Sequence, residues 1–311
     1  MNGLHTTAAA SGRDTRCEKE PEGMIPDTPE DSLWSLARKK FLKDIPGLVA
    51  FVVVLSYFVI ALGVWFGLWG LEWDELLNDD GYGGVSSTYW FGTNFNGQDI
   101  FSRVIYSTKT AFEVGAIVAV ASIILGALFG CISGYYSGSW IDELVIWFYG
   151  CLDSIPFYLF VAAVSFAMAD SPYAMYVAMI AVMWTSTCKV IRGQVIRLKH
   201  MEFVEAAHAL GVSDPVILCR HILPNTIPIL LIELSLAFVT AIKTEAILSF
   251  LGLGIRDGIS WGIMLSEASA EVVAGHYHNF IAASLFMFGL VMAFNQFADA
   301  MQDALDPRKV T

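Results

Sequence analysis

Six stretches of this chain run for roughly twenty residues with scarcely a charge, and they decide most of what it can fold into. About 20 apolar residues in a helix cross a ~30 Å hydrocarbon core, and a helix satisfies its own backbone groups there. The stretches are residues 47–71, 111–135, 144–169, 173–191, 226–250 and 279–304. Composition agrees: 56% of the 311 residues are hydrophobic and 15% are charged, against about 25% charged in an ordinary soluble domain. The expected fold class is therefore an all-α polytopic membrane protein with six transmembrane helices. The third stretch carries Asp153 and Pro156, and the fourth turns polar at Thr185-Ser186-Thr187. Those two are the stretches open to a re-entrant alternative.

The net charge of -12 argues against nucleic acid as a partner, because phosphate affinity needs a surplus of Lys and Arg. Where the basic residues fall sets orientation. With both termini inside, fourteen Lys and Arg lie on the cytoplasmic side and three (Arg103, Lys109, Arg256) outside, with Lys243 left within a span. Both termini are expected to be cytoplasmic. The first 30 residues are polar and lack the apolar core of a cleavable signal, so they read as a disordered tail. Residues 32–43, with Leu33, Trp34, Leu36 and Phe41 among basic side chains, predict a short interfacial helix. The five Cys show no CxxC spacing and read as small buried hydrophobes. The expected division is a tail over 1–45, a membrane domain over 46–304 and a C-terminus over 305–311. The membrane domain contains an outer segment at 72–110 and a cytoplasmic loop at 192–225.

That loop holds the chain's most unusual polar segment, EFVEAAHALGVSDPVILCRHILPN. Phe203, Ala207 and Leu210 recur at helical spacing, with Val204 and His208 beside them. Gly211 then stands where a helix C-terminus needs a left-handed residue, which costs glycine least. Ser213-Asp214-Pro215 restarts a helix, and Pro224 is expected to end it. Two such short helices form a knob too small to hold itself together.

Glu205-Ala206-Ala207, Gly211 four residues later, and Ile222-Leu223-Pro224 together resemble the EAA loop of ABC-type importer permeases. WFGTNFNGQDIFSRVIYSTKTAFEVG at 90–115, GYYSGSWIDE at 134–143, AILSFLGLG at 246–254, SWGIMLSEA at 260–268 and the closing AFNQFADAMQDALDPR are similar to segments of the dipeptide, oligopeptide and nickel permeases. They occur in order over residues 35–308 and resemble the second of the two permease subunits. The resemblance implies a type I ABC importer permease fold in a bacterial inner membrane. It implies a homologous permease, two ATPase subunits and an extracytoplasmic solute-binding protein as partners. ATP and Mg would sit on the ATPases, with no cofactor on this chain. Glu205, Ala206, Ala207, Gly211, Ile222, Leu223 and Pro224 are then expected to couple the spans to an ATPase cleft.

The chain also departs from that pattern. Asn94 and Gln98 stand where relatives carry Asp and Arg, and Trp147 and Gly150 where Arg and Asp are expected; Asp153 is a candidate replacement for the latter acid. Ionisable groups within spans are costly unless they face a watery cavity or a partner, which makes Asp153, Glu233, Lys243 and Glu245 candidates for the translocation path. Lys243 admits two readings, a positive site for a peptide carboxylate or an ion pair with an acid on a neighbouring helix. Pro156 predicts a kink, either gating or static.

No Gly-Lys dipeptide occurs, which excludes a P-loop, and no HExxH or G-x-S-x-G appears; no catalytic residue is assigned. His276 and His278 read as polar loop residues and not as metal ligands. The contrasting function is an ion-coupled secondary transporter relaying protons through Asp153, Glu233, Lys243 and Glu245, although no internal repeat of the kind such carriers use is visible. The solute remains open among dipeptides, oligopeptides, nickel and other small molecules.

Overall fold

The computed structural model describes residues 38–77, 81–168 and 170–305. Cys17, the tail and residues 32–37 of the expected interfacial helix lie outside the described residues. Among the described residues, helical residues 38–41 are followed by ten α-helices: α1 (Ile45–Trp65), α2 (Ile100–Tyr135), α3 (Trp140–Asp153), α4 (Phe157–Ala167), α5 (Ala174–Leu198), α6 (Glu202–Ala209), α7 (Asp214–Ile217), α8 (Leu223–Phe250), α9 (Trp261–Val273) and α10 (His278–Leu305). A π-helical turn, Leu218–Ile222, fuses α7 to α8.

Among the described residues, five helical rods are long and apolar enough to cross a membrane: α1, α2, α5, the fused Asp214–Phe250 and α10. The third expected span differs. It is split into α3 and α4, which meet at 85°, around Ser154-Ile155-Pro156. Pro156 has no N–H to donate and pushes Ile155 out of helical conformation, so the expected kink becomes a corner. The 14 residues of α3 and 11 of α4 extend about 21 Å and 16 Å at 1.5 Å per residue, and neither alone spans ~30 Å.

α2 starts earlier than its apolar run, because Asp99 caps it by accepting from the N–H groups of Phe101 and Ser102. Its 36 residues reach about 54 Å, well beyond a hydrocarbon core. It is the central post of the bundle, and its contact with α5 depends on three glycines. A Cβ at Gly126, Gly130 or Gly134 would lie 2.6 to 2.8 Å from Thr187 Cβ, Cys188 O or Arg192 O. This is the small-residue spacing that lets membrane helices approach backbone to backbone. Around the other side of α2, Phe112 packs on Phe238 of α8, while Trp261 of α9 and Leu290 of α10 complete the same core.

Candidate coupling hook and translocation cavity

The hook is built on one backbone turn. α6 closes with Val212 N–H donating to Ala207 O (3.1 Å) and Gly211 N–H to His208 O (2.9 Å), the paired bonds of a Schellman cap. Gly211 takes φ +78°, as its position predicts. Only some of the residues that recur at helical spacing are buried by the turn. Val204 and Ala207 point inward and join Ile217 and Ile222 against Cys131 of α2 and Ile191 and Val195 of α5. Phe203 and Leu210 are exposed, Leu210 by 83%. The knob therefore has a seat on its own chain, which supplies the burial two short helices lack.

Polar bonds fix the same seat. Tyr135 Oη, at the end of α2, donates to Asp214 Oδ1 (2.8 Å) and lies 3.1 Å from His208 Nε2. Behind it the GYYSGSWIDE turn is held by Asp142, which is 2% exposed. Its carboxylate accepts Arg192 Nε (2.7 Å) and Nη2 (2.8 Å), Ser133 Oγ (2.5 Å) and Gly138 N–H (2.9 Å). Neither Tyr135 nor Asp142 was among the sequence-derived candidates.

Pro224 does not end the second helix. It occupies the first turn of α8, and the π-helical turn just before it accommodates the carbonyl that Pro224 leaves without a donor. Asp214–Phe250 is consequently one continuous rod of 37 residues, so a push on the hook reaches the membrane interior through helix. Of the seven expected coupling residues, Glu205, Ala206, Gly211 and Pro224 are exposed, Leu223 is half-buried, and Ala207 and Ile222 are buried in the seat.

The four candidate path residues separate. Asp153 and Glu233 line one cavity of about 450 Å³ with Pro156, Thr185, Thr187 and Thr240. Asp153 is ion-paired with Lys189 of α5 and accepts from Thr185 Oγ1 at 3.1 Å, while Lys189 Nζ also lies 5.3 Å from the centre of the Tyr149 ring. Glu245 is buried and accepts from Ser249 Oγ, away from this cavity. Lys243 is exposed, and no acid among the described residues of this chain pairs with it.

At the other end of the bundle, Asn94 and Gln98 replace the expected charges with a buried amide pair, Asn94 Nδ2 donating to Gln98 Oε1 at 3.0 Å. Arg103 joins them by donating to Gln98, and its Nη2 reaches both oxygens of Glu267 on α9 at 2.9 and 2.7 Å. Burial pushes the Glu267 carboxyl up, and the Arg103 guanidinium offsets this only in part. His276 stacks on Tyr82 with ring centres 3.7 Å apart. Among the described residues no group of three or more His, Cys, Asp or Glu is arranged to hold a metal ion.

Residues 122–311 match the family described as binding-protein-dependent transport system inner membrane component. The chain belongs to this family. The permease is 31% identical over 280 residues to the oligopeptide transport system permease protein OppC of Haemophilus influenzae, covering 89% of each chain. It is 31% identical over 294 residues to the dipeptide transport system permease protein DppC of Alkalihalophilus pseudofirmus, covering 93% of this chain and 95% of the relative. The glutathione transport system permease protein GsiD of Escherichia coli is 32% identical over 288 residues, 90% of this chain and 91% of the relative. The permease is thus a multi-pass membrane protein of the kind that works with ATPases and a binding protein, and nothing in these likenesses favours an ion-coupled carrier.

Proposed function

We propose that this permease forms half of the path of an ATP-driven peptide importer and couples that path to separate ATPase subunits. A homologous permease supplies the other half, two ATPases lie beneath, and a solute-binding protein docks on the outer side. Both termini and the hook are cytoplasmic, following the excess of Lys and Arg there. On this reading no catalytic residue and no nucleotide or metal site is assigned to this chain, and ATP and Mg belong to the ATPases.

The observation that carries this reading is the seated hook. Glu205, Ala206 and Gly211, flanked by exposed Phe203 and Leu210, project away from a base anchored by Val204, Ala207, Ile217 and Ile222. An ATPase cleft that closes around that surface moves α6 as a rigid body, and the continuous Asp214–Phe250 rod carries the motion to the cavity. Peptides are the cargo by likeness to the oligopeptide, dipeptide and glutathione permeases. In native vesicles, a cysteine replacing Ala206 or His208 should crosslink to a nucleotide-hydrolysing protein, and uptake should be sensitive to vanadate but not to an uncoupler. A hook that crosslinks to nothing while uptake persists overturns the proposal.

A further inference from the structure

Glu233, Leu236, Thr240, Lys243 and Ile247 fall within an arc of about 80° on α8, taking 100° per residue. The first three of these border the cavity, and Lys243 lies one turn beyond Thr240. Leu236, Lys243 and Ile247 are exposed. Of the other path candidates, Asp153 is engaged with Lys189 and Glu245 with Ser249. Lys243 is left on an open face at apolar depth, where a lone ammonium is costly unless it faces water, a ligand or a partner. Glu233 stands on the same face and borders the cavity; its carboxylate has the Thr187 hydroxyl as a hydrogen-bond partner and no cation paired with it among the described residues.

Resting on the peptide-importer reading above, we infer that this face is a two-ended charge site for peptides with a free amino and a free carboxyl terminus. Glu233 takes the ammonium and Lys243 the carboxylate. Glu233 and Lys243 are ten residues apart, about 15 Å along the helix. An extended peptide covers about 3.3–3.6 Å per residue, so a chain of roughly four residues reaches from one charge to the other. The cavity wall beside Glu233 carries the hydroxyl oxygens of Thr185, Thr187 and Thr240, whose free lone pairs can accept from peptide N–H groups, and apolar surface (Leu236, Met183) for side chains of any kind. Such a wall reads the ends of a peptide and tolerates its sequence.

The test uses the complete transporter in proteoliposomes, with binding protein shown to be saturated by each probe: tetraalanine, its C-terminal amide and its N-acetyl form. The wild-type complex should move tetraalanine faster than either blocked form by about tenfold or more, the worth of one charge-assisted hydrogen bond. Lys243→Met should abolish discrimination against the amide alone, Glu233→Gln should abolish it against the acetyl form alone, and Lys243→Arg should retain both. A cysteine at 243 in a background lacking the native cysteines gives a readout on tetraalanine itself. An aminoethyl thiosulfonate should restore its uptake, and a sulfonatoethyl reagent should not. If Lys243→Met slows the free and amidated peptides equally, Lys243 serves an ion pair with another subunit and the inference falls. Equal wild-type rates for all three probes also overturn it while leaving the importer reading intact, whereas ATP-driven uptake of no peptide overturns both.

Discussion

Replacing Gly211 tests the coupling mechanism at one backbone angle. At φ +78° no atom outside its immediate neighbours lies within 4 Å of the Cβ that a substitution would add, so no steric term enters within this chain. The cost is conformational: an L-residue held in the left-handed region loses about 1–2 kcal/mol, with alanine at the low end and a β-branched residue at or above the high end. Asparagine tolerates the region better than either. The bonds Val212 N–H to Ala207 O and Gly211 N–H to His208 O share that cost, because both require the turn. A loss of 1–2 kcal/mol lowers the ratio of seated to unseated hook about 5- to 30-fold. The assay is solute moved per ATP hydrolysed in the reconstituted complex, together with amide exchange at Val212. Coupling should fall in the order Gly, Asn, Ala, Val, and faster exchange at Val212 should track it. Normal coupling in Gly211→Val refutes the argument. Equal damage from Asn, Ala and Val also refutes it, since that pattern reports a collision with the partner surface and not a backbone preference.

Gly130→Leu should strain the α2–α5 contact, where even a Cβ would approach Cys188 O to 2.7 Å. Overpacking of this kind costs about 1–3 kcal/mol or more, visible as a lower melting temperature in detergent; an unchanged value would mean the helices can part without penalty. At the other end of the bundle, the folded chain holds the Glu267 proton to higher pH than the unfolded chain does, because burial outweighs Arg103. The folded state then binds more protons, so stability falls as pH rises from the ordinary Glu range through the raised value. Glu267→Gln should remove that slope in a melting-temperature series; an identical slope in the variant would assign it elsewhere.

Two local rules made much of this permease legible in its sequence. Hydrocarbon thickness sets the length of an apolar helix, which located the rods, and the energetics of a left-handed residue placed the turn at Gly211. The replacement of charges by Asn94 and Gln98 was also visible, although not that the two amides would bond to each other and to Arg103. The spacing of Gly126, Gly130 and Gly134 is readable as a small-residue motif and could have pointed to the α2–α5 contact. Asp142 gave no such signal: its role depends on Arg192, fifty positions away, meeting it across the bundle.

Tertiary structure alone decided which side of each helix is buried. A span that is apolar all round carries little periodicity to betray its inward face, so sequence could name Asp153, Glu233, Lys243 and Glu245 but not sort them. Helix rotation put Asp153 and Glu233 on one cavity, buried Glu245 and left Lys243 open. The same limit explains why Val204 and Ala207, and not Phe203 and Leu210, anchor the hook. Pro156 signalled a disturbance, but the 85° corner depends on what α3 and α4 each pack against, which no local stretch of sequence contains.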